Sequence, residues 1–134
     1  MGHKILIADD EPNIVISLEY LMQREGHEVH VARDGEQALE LLRRERPHLV
    51  LLDVMMPRKT GHEVCQALRA DAAIKDTLVL MLTAKGRDTD VAKGLALGAD
   101  AYMTKPFSTR DLVQKVRELL AGGRGAPGVA ASSP

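Results

Sequence analysis

Aromatic side chains are almost missing from this 134-residue chain, which has two tyrosines, one phenylalanine and no tryptophan. Tyr20, Tyr102 and Phe107 supply no stacking platform for nucleic-acid bases. A net charge of −1 gives no bias toward polyanions, so direct nucleic-acid binding and attachment to an anionic membrane surface both lack support. No apolar run approaches the ~20 residues that a membrane span needs. Met1-Gly2-His3-Lys4 leads directly into a strand-like run, without the basic segment, apolar stretch and cleavage site of a secretory signal. Cysteine is scarce too: Cys65 stands alone, which excludes an internal disulfide and suits a reducing cytosol. It reads as a small hydrophobe on a helix rather than a nucleophile. These absences point to a cytoplasmic protein, and the length suits one domain with a single core.

What is present is regular. Five apolar, strand-like runs begin near residues 5, 29, 49, 78 and 101, and the spacing leaves room for a helical crossover after each strand, as parallel pairing requires. Helix signals fill the intervals. Pro12 suits a first helical turn, followed by an apolar face of Ile14, Leu18, Leu21 and Met22 before Gly26. Asp34 is placed to cap a helix carrying Ala38, Leu41 and Leu42 and stopped by Pro47. Thr60-Gly61-His62-Glu63 reads as a capping box ahead of Val64 and Leu68, and Ser108-Thr109-Arg110-Asp111 as an Asp variant ahead of Leu112, Val116 and Leu119. Asp88 is expected to cap a helix with Ala92 and Leu95 that ends at Gly98.

Residues 49–52 and 78–82 are apolar on both faces, as central strands should be, whereas Glu28-Val29-His30-Val31 alternates like an edge. We expect an α/β fold: a doubly wound, flavodoxin-like (βα)5 parallel sheet in the order 2-1-3-4-5 with right-handed crossovers. Residues 1–120 form the domain. From Ala121 the glycine-, alanine-, proline- and serine-rich sequence suits a flexible tail or linker stub, residues 121–134.

Four of the five runs end in a reactive polar group: Asp9-Asp10, Asp53, Thr83 and Lys105-Pro106. Ligands of such sheets sit beyond the carboxyl ends of the strands, near the switch point between strands 1 and 3. Two like charges ~4 Å apart repel by about 4 kcal/mol at an effective dielectric near 20, so three clustered carboxylates call for a cation. Oxygen ligands favour Mg²⁺ or Ca²⁺ over zinc, and Mg²⁺ binds through one or two carboxylates plus waters and phosphate. Such an ion would neutralise charge during phosphoryl transfer. Asp53 is the candidate nucleophile, and Thr83 and Lys105 are candidate donors to the phosphoryl oxygens. Alone, each residue also fits a bland reading: a loop, a strand end or a turn. Their coincidence at four strand ends carries the weight.

The motifs Lys4-Ile5-Leu6-Ile7-Ala8-Asp9-Asp10-Glu11-Pro12, Leu51-Leu52-Asp53-Val54-Met55-Met56-Pro57, Leu82-Thr83-Ala84 and Gly98-Ala99-Asp100-Ala101-Tyr102-Met103-Thr104-Lys105-Pro106-Phe107 resemble the receiver domain of two-component response regulators, over residues 4 to about 120. The resemblance implies that Asp53 accepts a phosphoryl group from the phosphohistidine of a sensor histidine kinase. It implies Mg²⁺ held by Asp9, Asp10, Asp53 and the backbone carbonyl of Met55. Thr83 would be the switch hydroxyl, Tyr102 the aromatic whose rotamer follows it, and Lys105 the partner of the phosphoryl group, with a bond to Pro106 that is commonly cis. Such a protein is a stoichiometric phosphoacceptor that catalyses its own phosphorylation and dephosphorylation rather than an enzyme with turnover. It controls a downstream protein or an output domain through its helix 4–strand 5–helix 5 face.

Met55 and Lys85 stand where family members often place polar or acidic residues that govern loss of the phosphate, so a long-lived phosphorylated form is expected. Relatives that bind DNA dimerise through ion pairs on the output face. Here Lys93, Asp100, Asp111, Lys115 and Arg117 are charged candidates, but Val91, Leu97 and Ala101 replace expected charges. A monomer, or a weak phosphorylation-dependent dimer, follows. The five histidines (His3, His27, His30, His48, His62) lie apart in sequence and read as solvated.

An aspartate-nucleophile, Mg²⁺-dependent phosphohydrolase is the rival. Such enzymes carry two aspartates flanking one residue after the first strand, whereas this chain has Ala8-Asp9-Asp10-Glu11, and Asp53 is followed by Val54-Met55. A flavin or nucleotide module would need a phosphate-cradling loop there, and Asp9-Asp10-Glu11-Pro12 repels phosphate.

Overall fold

A computed structural model describes residues 2–84 and 88–122. Strands β1 (Lys4–Ala8), β2 (Glu28–Ala32), β3 (Leu49–Asp53), β4 (Leu78–Ala84) and β5 (Ala101–Lys105) alternate with helices α1 (Pro12–Arg24), α2 (Gly35–Glu45), α3 (Gly61–Ala70), α4 (Asp88–Ala96) and α5 (Thr109–Gly122). The sheet order is β2-β1-β3-β4-β5, and every neighbouring pair is parallel. Because side chains alternate across a strand, each central strand feeds two cores. Leu6, Ala8, Val50, Leu52, Val79 and Met81 meet the apolar faces of α2 and α3. Ile5, Ile7, Leu49, Leu51, Leu80 and Leu82 meet α1 and α5 through Leu18, Met22, Leu112 and Val116. All five residues of β3 are buried, as its double-sided apolar sequence requires.

The local signals act as written. Pro12 opens α1, and Gly26 follows the helix at φ +88°, a conformation that glycine adopts without steric cost. Asp34 Oδ1 accepts from Gln37 N–H at 2.8 Å, and Thr60 and Glu63 make both bonds of the capping box. Ser108 Oγ accepts from Asp111 N–H at 3.0 Å. Helix α5 continues through Gly122, two residues past the expected boundary; residues 123–134 of the expected tail lie outside the described residues.

Helix α4 differs from expectation. It begins at Asp88 itself, and it turns Ala92 and Leu95 outward. Its inner contact is Gly94, where an added Cβ would stand 3.4 Å from Met81 and 3.7 Å from the His62 ring. Gly94 thus faces Met81 and His62 with room for a Cβ at ordinary contact distance, a placement that apolar periodicity does not reveal. His62, expected to be solvated, is 6% exposed, and its Nε2 lies 2.9 Å from the Asp90 carbonyl. His3, His27 and His48 converge at the amino-terminal edge of the sheet. Rings 3 and 48 are 5.0 Å apart, and rings 3 and 27 are 5.7 Å apart. Cys65 is fully buried.

Candidate functional site

The parallel register turns four strand ends into one site. β1 and β3 are adjacent at the switch point, so Asp9, Asp10 and Asp53 converge, with a carboxylate oxygen from each within 4.8 Å of the others. Asp53 is paired in register with Leu82, which places Thr83 one step beyond it on β4. Thr83 is paired in turn with Thr104, and Lys105 ends β5. Strand β4 runs on through Thr83 to Ala84 instead of stopping short of it.

Asp9 is wholly buried. One of its oxygens accepts the Glu11 N–H at 2.9 Å, turning the chain into α1, and the other accepts Lys105 Nζ at 2.9 Å. The ammonium also lies 3.4 Å from Asp53 Oδ1, and the same oxygen accepts the Met55 N–H at 3.3 Å. Burial first, and the Asp9 charge second, raise the Asp53 pKa from its ordinary 3.8 to about 6 against the opposing pull of Lys105 and the Met55 N–H. Burial works against the Lys105 ammonium, yet its bond to Asp9 and the charges of Asp53 and Asp9 outweigh that effect and raise its pKa. Lys105 is therefore a fixed cation at neutral pH.

One ammonium facing three carboxylates leaves net negative charge. Asp10 is exposed to solvent at the rim, so an ion could enter from that side. The donor set is entirely oxygen, which fits a hard divalent cation of the Mg²⁺ class. Beside it, the buried Thr83 Oγ1 has no hydrogen-bond partner among the described residues. An orphaned hydroxyl is costly in a protein interior, and an anionic oxygen brought to Asp53 would satisfy it. Tyr102 is 45% exposed. The Lys105-Pro106 bond is cis.

The reading of the sequence missed the role of Gly61. A Cβ there would collide with the main-chain carbonyl of Asp53, and its N–H donates to the Val54 carbonyl at 2.9 Å. This glycine lets α3 start directly against the Asp53 strand end; the sequence marked it only as an interior position of a capping box. Two charges assigned to the output face are engaged elsewhere. Asp100 bonds Arg69 Nη2 of α3 and the Val79 N–H, both at 2.8 Å. Arg117 forms a two-pronged pair with Glu25 beyond α1, at 2.6 Å and 3.0 Å. Lys85 lies outside the described residues.

Comparison with known proteins agrees with this geometry. The profile of the response regulator receiver domain matches residues 5–117. Over 120 residues the chain is 48% identical to the alkaline phosphatase synthesis transcriptional regulatory protein PhoP of Bacillus subtilis, covering 90% of this chain and 49% of that protein. The chain thus spans about half the length of that curated relative. Chemotaxis response regulator CheY4 of Vibrio cholerae superposes with a TM-score of 0.82 at 32% identity, covering 87% of this chain and 98% of that one. The receiver domain of sensor histidine kinase PA1611 from Pseudomonas aeruginosa, solved with a magnesium ion in its active-site cleft, gives a TM-score of 0.83 at 26% identity, covering 90% and 99% of the two chains.

Proposed function

Since the chain belongs to the response regulator receiver domain family, we propose that it is a signalling switch that a sensor histidine kinase charges at Asp53. The carrying observation is Asp53 itself: a buried carboxylate held between an acidic neighbour and a fixed ammonium, with a hydroxyl on the next strand that has no partner among the described residues. Above its raised pKa, Asp53 is a carboxylate, and one of its oxygens forms a bond to phosphorus as the bond from phosphorus to the donor imidazole breaks. The electron pair leaves with that imidazole. Lys105 faces the transferring oxygens as a point charge, and Thr83 donates to one of them. Asp9, Asp10, Asp53 and the Met55 carbonyl would hold Mg²⁺, which supplies charge neutralisation between carboxylate and phosphoryl oxygens.

Bonding of Thr83 to the phosphoryl group vacates space near β5, and Tyr102 turns inward to follow it. The face built from α4, β5 and α5 then presents a different surface to a downstream protein or output domain. Asp100 and Arg117 are tied to other elements and Lys115 lies 3.6 Å from Glu118 on its own helix, which leaves Lys93 and Asp111 as candidates for cross-subunit pairs. Exposed pairs contribute only ~0–1 kcal/mol each, which favours a monomer or weak dimer. Met55 is 56% exposed and its thioether orients water poorly, which favours slow loss of the phosphate. Intact-mass analysis after acetyl phosphate and Mg²⁺ treatment should show one added phosphoryl group, and none in Asp53→Asn. Equal labelling of that variant, or steady turnover of small phosphate esters, would overturn the assignment in favour of a different acceptor or a phosphohydrolase.

A further inference from the structure

A second cluster with metal-ligand chemistry lies on edge strand β2, toward the opposite end of the sheet from Asp53. Glu28 and His30, two residues apart, point to the same side of the strand, and Glu45 reaches them from the end of α2. One donor atom from each lies within 4.8 Å of the others. We propose that Glu28, His30 and Glu45 form a binding site for a zinc-class divalent cation that clamps β2 to α2.

The geometry is close to what such an ion needs. Zinc bonds of about 2.0–2.2 Å in a tetrahedron place donor atoms about 3.4 Å apart. His30 Nε2 is 3.5 Å from Glu45 Oε1, and 2.6 Å from Glu28 Oε2. The second distance is a hydrogen bond that must open by less than 1 Å, a small rotation for a glutamate whose side chain is 60% exposed. Water would complete the shell. The mixed imidazole and carboxylate set selects zinc over Mg²⁺, which prefers oxygen alone.

Lys4 Nζ sits 3.4 Å from Glu45 Oε1 and 3.9 Å from Glu28 Oε2, so a metal must displace its ammonium from these oxygens. Lys4 also donates to the Glu45 main-chain carbonyl at 3.0 Å, so it keeps an anchor when a metal takes the carboxylates. The other Glu45 oxygen is 3.2 Å from Arg44 Nε, an outer contact that orients the carboxylate as ligating groups require. The histidines at the strand starts lack this capacity. Nδ1 of His27 accepts the His3 N–H at 3.0 Å, and Nδ1 of His48 accepts the Lys4 N–H at 2.9 Å. Each therefore carries its proton on Nε2, the atom a metal would need. His30 has no backbone N–H on its ring among the described residues. Zinc would take Nε2 of its neutral form, leaving the proton on Nδ1.

The test is calorimetric titration with Zn²⁺, with Co²⁺ absorption as a geometry readout, on a background of Asp10→Asn and Asp53→Asn that silences the carboxylate cluster. Because no phosphoryl donor is used, failure here leaves the receiver reading untouched. We expect one equivalent of zinc bound at micromolar concentration, a tetrahedral cobalt spectrum and a higher melting temperature with zinc. His30→Ala and Glu45→Gln should each weaken binding about ten-fold or more, Lys4→Met should tighten it, and His27→Gln should leave it unchanged. Circular dichroism melts of each variant separate lost ligation from lost folding. Absence of binding in the background protein, or affinity indifferent to His30→Ala, would overturn the proposal.

Discussion

Asp53 should make the metal-free protein less stable at neutral pH than its neutral isostere. Moving its pKa from 3.8 to about 6 amounts to about 3 kcal/mol of preference for the protonated form in the folded state. A carboxyl with a raised folded pKa destabilises as pH rises: the penalty is small below the unfolded value, builds between about pH 4 and 6, and is complete above that window. Asp53→Asn removes the charge but also removes the contact with Lys105 at 3.4 Å and leaves a buried amide. The net gain should therefore be about half the ceiling, 1–2 kcal/mol at pH 8, or about 4–8 °C for a domain of this size. The assay is a series of thermal melts of both proteins in EDTA between pH 4.5 and 8. Acid effects common to both cancel in the difference, which should shrink toward zero or reverse as pH falls. Excess Mg²⁺ should also narrow the gap at pH 8 by stabilising the native protein more than the variant. A pH-independent difference, or an Asn variant less stable at pH 8, would refute the electrostatic account of the site.

Three other outcomes are expected. Asp10→Ala should weaken Mg²⁺ binding and slow labelling by acetyl phosphate, with a metal-free melting temperature equal to or above that of the native protein, because an exposed like charge is removed; a lower melting temperature would count against the acidic-pocket account. Arg69→Leu should destabilise by about 3–5 kcal/mol in urea melts, since the guanidinium bonds Gly98, Lys75 and Thr77 carbonyls and its loss leaves Asp100 without this buried counter-charge. Sedimentation at micromolar protein should show a monomer, with at most weak association when beryllofluoride and Mg²⁺ are added; a tight, fluoride-dependent dimer would show that the remaining output-face charges suffice.

The architecture was legible because its signals are local and repeated. Parallel central strands buried on both faces must be apolar along their length, and β3 and β4 are up to Leu52 and Leu82; Pro12 lacks an N–H that the first helical turn would leave unpaired, and Asp34 and the Thr60 box satisfy their own neighbours' backbone groups. The reactive residues were legible for a related reason. Once five strands are parallel, their last residues share one edge, so Asp9, Asp10, Asp53, Thr83 and Lys105 could be brought together on paper. What the residues could not state was distance and burial. That Lys105 spans Asp9 and Asp53, that Asp53 is pushed toward neutral pH, and that Thr83 Oγ1 has no partner among the described residues all depend on packing among residues up to 96 positions apart. The same holds for Gly61, whose value is the side chain it lacks, and for Asp100 and Arg117, whose charges are engaged by Arg69 and Glu25. Local sequence decides which element forms and which residue caps it. Only the tertiary structure decides which charges meet and how little water reaches them, because electrostatic energy depends on separation and local dielectric, and neither is a property of a position in the chain.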